Sequence, residues 1–399
     1  MFPKDFLVGG THCGIAKKKD KKDMALFYSK RPAVAAAMFT ANLVKAAPVL
    51  VSAGHLDKSA HIRAVVANSG CANACTGSRG KQDAEEMCRI VAEQAGVKAA
   101  EVLVASTGVI GRNLPMARLP KGIRALWNTV AAGRNDSRAA AEAIMTTDTF
   151  AKTAARTINA DGSEITVWGC VKGSGMIHPD LKPHATMLGF ILTDAVIGRK
   201  ELDAALRHAV GASFNCVTVD GDTSTNDSVI VLANGAAGNA PLKKGKTPYA
   251  VFSSALDAVC LDLARMIATD GEGATHLIEI EVRQASNDRD AKKIAAVVAT
   301  SPLVKTAIFG KDANWGRIIA AVGRAGVTIN PSLIDIYLGD IMVARHGMGT
   351  DFSESKALKV LEQKDIKISI DLNMGKGQAK YYTCDYSIDY IKINANYRT

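Results

Sequence analysis

The segment PHATMLGFILTD, residues 183–194, sets the hydroxyl of Thr186 between a small residue, Ala185, and a run that is almost wholly apolar. A threonine heading such a run is an ordinary strand residue, and it becomes a reagent only under one further condition. Its hydroxyl is a weak nucleophile that needs a general base, and a threonine at a chain terminus carries that base as its own α-amine. An internal threonine gains the amine only when the peptide bond before it is cut. Self-cleavage calls for a small preceding residue, a kinked or strained loop and an ordered strand after the cut, because the hydroxyl must reach back onto the preceding carbonyl. Ala185, the loop GSGMIHPDLKP (173–183) and MLGFIL (187–192) meet these requirements.

Two further stretches, VVANSGCANACTGSRG (65–80) and VLVASTGVIG (102–111), each end an apolar run in small, polar or glycine residues. Backbone N–H groups left free there can face a ligand, which makes Thr107 and Gly108 a candidate oxyanion hole; a plain strand-to-helix turn has the same composition. Other chemistries fail on spacing. DGDTSTND (220–227) opens like an EF-hand loop, but its sixth position is Thr225 and its twelfth Val231, where glycine and glutamate are needed. KKGKT (243–247) ends like a phosphate-binding loop, yet Ala240 stands where its first glycine belongs, and GGTHCG (9–14) has the wrong glycine spacing for a dinucleotide site. Cys71 and Cys75 lack a second pair and the eight histidines do not group, so no metal is expected.

These residues must be positioned by a mixed α and β framework. Short apolar runs at 64–67, 102–105, 187–192 and 228–233 suit buried strands, and AEEMCRIVAEQAG, RKELDAALRHAV and SSALDAVCLDLARMIA have helical periodicity. Strict alternation in HLIEIEV, DIKISIDLN and YSIDYIKINANY suggests antiparallel strands with one packed face. Sheets covered by helices follow, with the clearest break in pattern at 171–184. The 399 residues, 48% hydrophobic, suffice for two cores or one large layered core. No basic leader with an apolar core and no membrane-length apolar stretch is present, and eight scattered cysteines suit reduced thiols, so a soluble intracellular protein is expected. The net charge of +10 attracts anions, but the basic clusters KKKDKK (17–22) and KKGK (243–246) read as solvated loops with no interleaved aromatics. Small carboxylate substrates fit this better than nucleic acid or membrane.

The segments RPAVAAAMFTAN (31–42), NSGCANACTG (68–77), STGVIG (106–111), KGSGMIH with ATMLGFILTDA (172–195), FNCVTVDGDTSTNDS (214–228), GKDANWGRI (310–318) and INANYRT (393–399) occur in one order. Together they resemble the ornithine acetyltransferase family, the bifunctional glutamate N-acetyltransferases of arginine biosynthesis, over essentially the whole chain. The resemblance implies an α/β (α+β) fold of helix-sheet-sheet-helix layers, built from two products of self-cleavage. Residues 1–185 would form an alpha chain with the oxyanion hole and substrate loop, and 186–399 a beta chain beginning at the nucleophile. Two of each would assemble as a cytoplasmic heterotetramer.

Residue by residue, the resemblance implies cleavage between Ala185 and Thr186, Thr186 as nucleophile, and Thr107 with Gly108 as the oxyanion hole. It makes Lys172 a cation for the substrate carboxylate, Glu272 in TDGEGAT a partner for a substrate amine, and Asn394 and Thr399 C-terminal substrate contacts. In MTTDT (145–149) it points to Thr149 as substrate-binding, with Thr146 and Thr147 as alternatives. The implied reaction is a double displacement that carries acetyl from N-acetylornithine to glutamate through acetyl-Thr186. It needs no cofactor, and acetyl-CoA stays open as a co-substrate. Two rivals remain: an amidohydrolase or aminopeptidase of related architecture, and an unprocessed amino-acid-binding relative. Two departures from the family pattern stand out: DLKPHA (180–185) is longer by about three residues, and Cys71 stands where asparagine is usual.

Overall fold

The apolar runs read as buried strands all lie in one mixed sheet, three of them inside it and 102–105 at its end. The computed structural model describes residues 1–18, 20–178 and 187–396 and distinguishes two units, one from 1–215 with 222–263, the other from 216–221 with 264 onward. Ala185, Thr186 and Thr399 lie outside the described residues. The boundary between units therefore differs from the expected cut at 185–186, which divides a sheet and not two separate cores.

The first unit contains β1 (Phe6–Thr11), β2 (Met24–Phe39), α1 (Ala47–Lys58), β3 (Ile62–Asn68), α2 (Gly77–Ala95), β4 (Val102–Ser106), α3 (Leu119–Ala131), α4 (Ser137–Ala143), β5 (Lys152–Ala160), β6 (Ser163–Lys172), β7 (Leu188–Thr193), α5 (Arg199–Ala212), β8 (Ser228–Ala233) and the larger part of α6 (Thr247–Thr269). Strand order is β4-β3-β2-β8-β7-β6-β5, with β1 also paired to β2. β7 and β8 run parallel and every residue of both is buried, as expected of strands covered on both faces.

β2 is sixteen residues long because it serves two neighbourhoods. Its first half pairs with β1 and β3, its second half with β8, and the register breaks between Tyr28 and Ala33. Pro32, which has no N–H to give a ladder, sits in that break. The two halves of the sheet consequently face one another: the Phe27 ring of β2 stacks on Phe190 of β7 with centroids 4.6 Å apart. One apolar layer lies between the halves, including Val65, Leu103, Trp168, Phe190 and Ile230. Another packs the alternate residues Leu26, Val66 and Val104 against Met87 and Val91 of α2 and Ile123 of α3. On the opposite outer face, Val259 and Leu263 of α6 close onto Gly169 of β6. The layers are thus helix, sheet, sheet, helix.

The second unit holds β9 (Leu277–Ala285), α7 (Asp288–Ala299), α8 (Pro302–Phe309), α9 (Trp315–Gly323), β10 (Asp335–Leu338), β11 (Ile341–Arg345), β12 (Met348–Gly349), α10 (Glu354–Leu361), β13 (Asp365–Asp371), β14 (Gly377–Cys384) and α11 (Ile388–Asn396). Its sheet order is β12-β11-β10-β13-β9-β14. Alternation in β9 sends Ile278, Ile280 and Val282 into a core with Ile294 and Val298 of α7, while Glu279 and Glu281 meet Lys380 and Lys367, each at 2.8 Å.

Two expectations are corrected here. β9 and β13 pair parallel, although β9–β14 and β10–β13 are antiparallel; alternation reports one packed face and carries no strand direction. Within YSIDYIKINANY, Ile388–Asn396 form a helix, not a strand: the Ser387 hydroxyl accepts the N–H groups of Asp389 and Tyr390 at 3.2 and 3.3 Å, a helix N-cap. Tyr386 and Tyr390, four apart, stack at 4.8 Å, and no residue of α11 is buried, so no sheet face exists for the alternation to serve. Among the described residues no two cysteines are joined, and no helix is long and apolar enough to cross a membrane.

Candidate active site

Thr107 follows the last residue of β4 and bridges to Cys71. Its N–H donates to the Asn68 carbonyl at 2.9 Å, so what it can offer a developing anion is its hydroxyl. The next N–H in the turn is that of Gly108. Gly108 has φ +127°, and a Cβ there would collide with the backbone of Gly70. Only glycine allows the turn that aims this N–H while packing so close to the 70–71 peptide.

The turn is held by two asparagines that no chemical motif singles out. Asn68 donates to the Cys71 carbonyl at 2.9 Å and accepts from the Ser106 hydroxyl at 2.7 Å. Asn226, within the GDTSTND stretch, donates to the carbonyls of Ala72 and Ser106 at 2.6 and 2.8 Å. This stretch and the residue after it hold both residues that flank 179–186: the Thr223 hydroxyl donates to the His178 carbonyl at 2.9 Å, and the Ser228 N–H to the Met187 carbonyl at 2.7 Å. Thr225 takes part too, donating to the Asn226 side-chain oxygen at 2.6 Å.

Lys172, the last residue of β6, lies opposite Leu188 in the β6–β7 register and points its ammonium to the Thr107 hydroxyl oxygen at 3.3 Å. The strand that begins just after Met187 therefore starts beside Lys172 and Thr107. Behind Lys172 is a carboxylate that the sequence did not reveal. Asp148 accepts from the Lys152 ammonium and the Gly173 N–H, both at 2.7 Å, and from the Thr146 N–H at 2.9 Å. The Asp148 and Lys152 side chains are wholly buried. Burial pushes the Asp148 pKa up, but the charges of Lys152 and Lys172 and the hydrogen bonds outweigh it and hold the carboxyl down at about 2.

The linkage has a definite sign. Because this pKa falls below its ordinary value of 3.8, the stability Asp148 contributes is complete above about pH 4 and is lost as pH falls toward about 2. Melting curves of the wild type and Asp148→Asn are expected to converge as pH drops through that window.

Asp148 borders a cleft of about 710 Å³ that is also lined by Thr146, Thr149, Phe150, Lys21 and Lys22. Two of the three candidate threonines, Thr146 and Thr149, face this cleft. The lysines of the basic cluster are more than a solvated loop: Lys21 donates to the Thr146 carbonyl at 3.0 Å and Lys22 to Glu142 at 2.7 Å.

In the second unit, Glu272 accepts from the Asn394 amide at 2.9 Å, joining two of the expected substrate contacts. Their loop and helix are tied together further on. The Ser387 hydroxyl donates to the Gly273 carbonyl at 2.5 Å, and Asp385 accepts the N–H groups of Thr275 and His276 at 2.8 and 2.9 Å.

Comparison with known proteins agrees over the full length. The sequence pattern of the ArgJ family matches residues 7–399. The arginine biosynthesis bifunctional protein ArgJ of Symbiobacterium thermophilum is 48% identical over 398 residues, covering 100% of this chain and 98% of the relative. Its namesake in Bacillus licheniformis is 46% identical over 397 residues, covering 100% and 96%. A crystal structure of arginine biosynthesis bifunctional protein argJ from Bacillus halodurans shares 48% identity with a TM-score of 0.51, over 52% of this chain and 98% of the solved one. This chain belongs to the ArgJ family.

Proposed function

We propose that the protein is a glutamate N-acetyltransferase of arginine biosynthesis that moves acetyl from N2-acetyl-L-ornithine to L-glutamate. The chain is first cut between Ala185 and Thr186, which gives Thr186 a free α-amine. That amine takes the hydroxyl proton as the oxygen attacks the acetyl carbonyl, and the Thr107 hydroxyl and Gly108 N–H donate to the tetrahedral oxyanion. Collapse expels ornithine, which leaves with the proton, and acetyl-Thr186 remains. The glutamate amine then attacks the ester, N-acetylglutamate departs and the threonine is restored. Cleavage of the Ala185 peptide passes through the same kind of tetrahedral centre at the same oxygen, so one set of donors serves both steps.

The observation that carries this reading is the approach of the Lys172 ammonium to the Thr107 hydroxyl, 3.3 Å apart, at the strand end facing Leu188. Lys172 is the cation for a substrate carboxylate, Glu272 with Asn394 the pair for ornithine's side-chain amine, and Thr149 or Thr146 a further contact from the cleft; Thr399 completes the set. On this reading the two products stay together, two of each, and work in the cytoplasm without a cofactor, with acetyl-CoA as a second donor to be tried in the same assay.

The test incubates purified protein with N-acetylornithine, with and without glutamate. Glutamate-dependent release of ornithine, equal to the N-acetylglutamate formed, is expected. Acetate release at one rate in both arms would make the enzyme a hydrolase, and a chain that stays whole without turnover would make it a binding protein.

A further inference from the structure

We propose that Asp148 is a positioning residue for acetyl transfer: by accepting the Gly173 and Thr146 N–H groups, it fixes the end of β6 from which Lys172 presents its ammonium to the Thr107 hydroxyl. This rests on the acetyl-transfer reading above and adds a residue to it.

The grip acts directly on Lys172. Gly173 N–H belongs to the peptide that Lys172 itself begins, so a 2.7 Å bond from Asp148 to that N–H sets the plane of the peptide leaving Lys172. The Thr146 N–H, on the same carboxylate, ties the cleft-lining turn to the same point. Opposite charge adds to geometry, since Lys172 is among the charges that stabilise ionised Asp148. The consequence appears at Thr107. With an ammonium directed to its oxygen at 3.3 Å, the hydroxyl turns its own hydrogen elsewhere and can donate to an oxyanion.

Stability alone gives little reason for the arrangement. Burying an aspartate and a lysine costs desolvation that their attraction barely offsets, and apolar residues of like volume would hold a core as well. Asp148 and Lys152 are wholly buried even so, immediately beside the strand end that carries Lys172.

The experiment compares wild type, Asp148→Asn, Lys152→Met and the double variant, measuring kcat and KM for both substrates, melting temperature, and the rate of chain cleavage by intact mass. Turnover is counted per folded, cleaved molecule. Asp148→Asn places a donor where acceptors are needed, and kcat is expected to fall roughly 10²-fold, the cost of a misplacement of about 1 Å, with the smaller change in KM. Cleavage slows in parallel. Lys152→Met keeps the grip on Gly173 and Thr146 and is expected to lose stability but little kcat. The double variant strands no charge, so it recovers melting temperature while staying at the low kcat; it carries the test should Asp148→Asn fail to fold. A double variant with wild-type kcat, or a Lys152→Met variant as impaired as Asp148→Asn, would reduce Asp148 to half of a structural ion pair and overturn the proposal. An inactive wild type removes the acetyl-transfer reading itself, and that arm is read separately from the variants.

Discussion

Thr186→Ala is expected to remain one polypeptide of 42.0 kDa and to transfer no measurable acetyl group, a loss of roughly 10⁴-fold or more. The substitution removes the only atom common to both steps. Without the hydroxyl, nothing attacks the Ala185 carbonyl, the α-amine is never exposed, and no ester can form with the donor. Thr186→Ser keeps the oxygen and is expected to cleave and turn over, though more slowly, since serine lacks the methyl that restricts the side-chain rotamer. Intact mass and N-terminal sequencing read the first step, ornithine release the second. A Thr186→Ala protein found in two pieces beginning at residue 186 would end the account, because some other group would have made the cut.

Thr107→Val is expected to lower kcat roughly 10²- to 10³-fold, the usual effect of deleting one oxyanion donor. Valine keeps the shape and loses the hydroxyl. The Thr107 N–H continues to bond Asn68, and the Asn226 contacts to Ala72 and Ser106 do not involve the side chain, so the melting temperature should change little. KM should move much less than kcat, because the hydroxyl is asked for most when charge develops on the acetyl oxygen. Thr107→Ser should retain most of the activity. Steady-state kinetics at saturating glutamate, beside a melting curve, check both halves; a valine variant with wild-type kcat would leave Gly108 as the sole donor.

Much of this framework is legible in the sequence, for reasons specific to each element. The run 228–233 is β8 to the residue, because a largely apolar strand buried on both faces is bounded sharply by the polar Asp227 and Asn234. The pattern of RKELDAALRHAV gives α5 through its stripe of Leu202, Ala205, Leu206, Ala209 and Val210. What escapes is whatever depends on partners distant in sequence. Nothing local tells that β2 changes neighbours halfway or that β13 lies parallel to β9. The tail reads as a strand because Ile391 and Ile393 alternate with Lys392 and Asn394, while the helix cap at Ser387 is a single hydroxyl.

The same division runs through the site. Glycine-rich turns advertise themselves, and the composition around Gly108 marks it as such a turn, which its φ of +127° bears out. Asp148 and Lys152 carry no such mark: a lone aspartate in MTTDT and a lysine four residues beyond that aspartate read as solvent-facing until the packing that buries them is known. Asn68 and Asn226 sit inside quoted motifs, but their work as carbonyl donors is visible only once 68, 106 and 226 come together.

The order β2-β8-β7-β6 has a consequence for the lifetime of the enzyme. Were the chain cut between Ala185 and Thr186 as proposed, the pair β8-β7 would belong to one polypeptide and be wedged between strands of the other. Neither fragment alone can satisfy its exposed strand edges, which are templates for aggregation. Unfolding before the cut is a private event within one molecule; after it, recovery requires two strangers to meet in dilute solution. On the proposed cut, maturation would trade a recoverable fold for one that persists only by never coming apart.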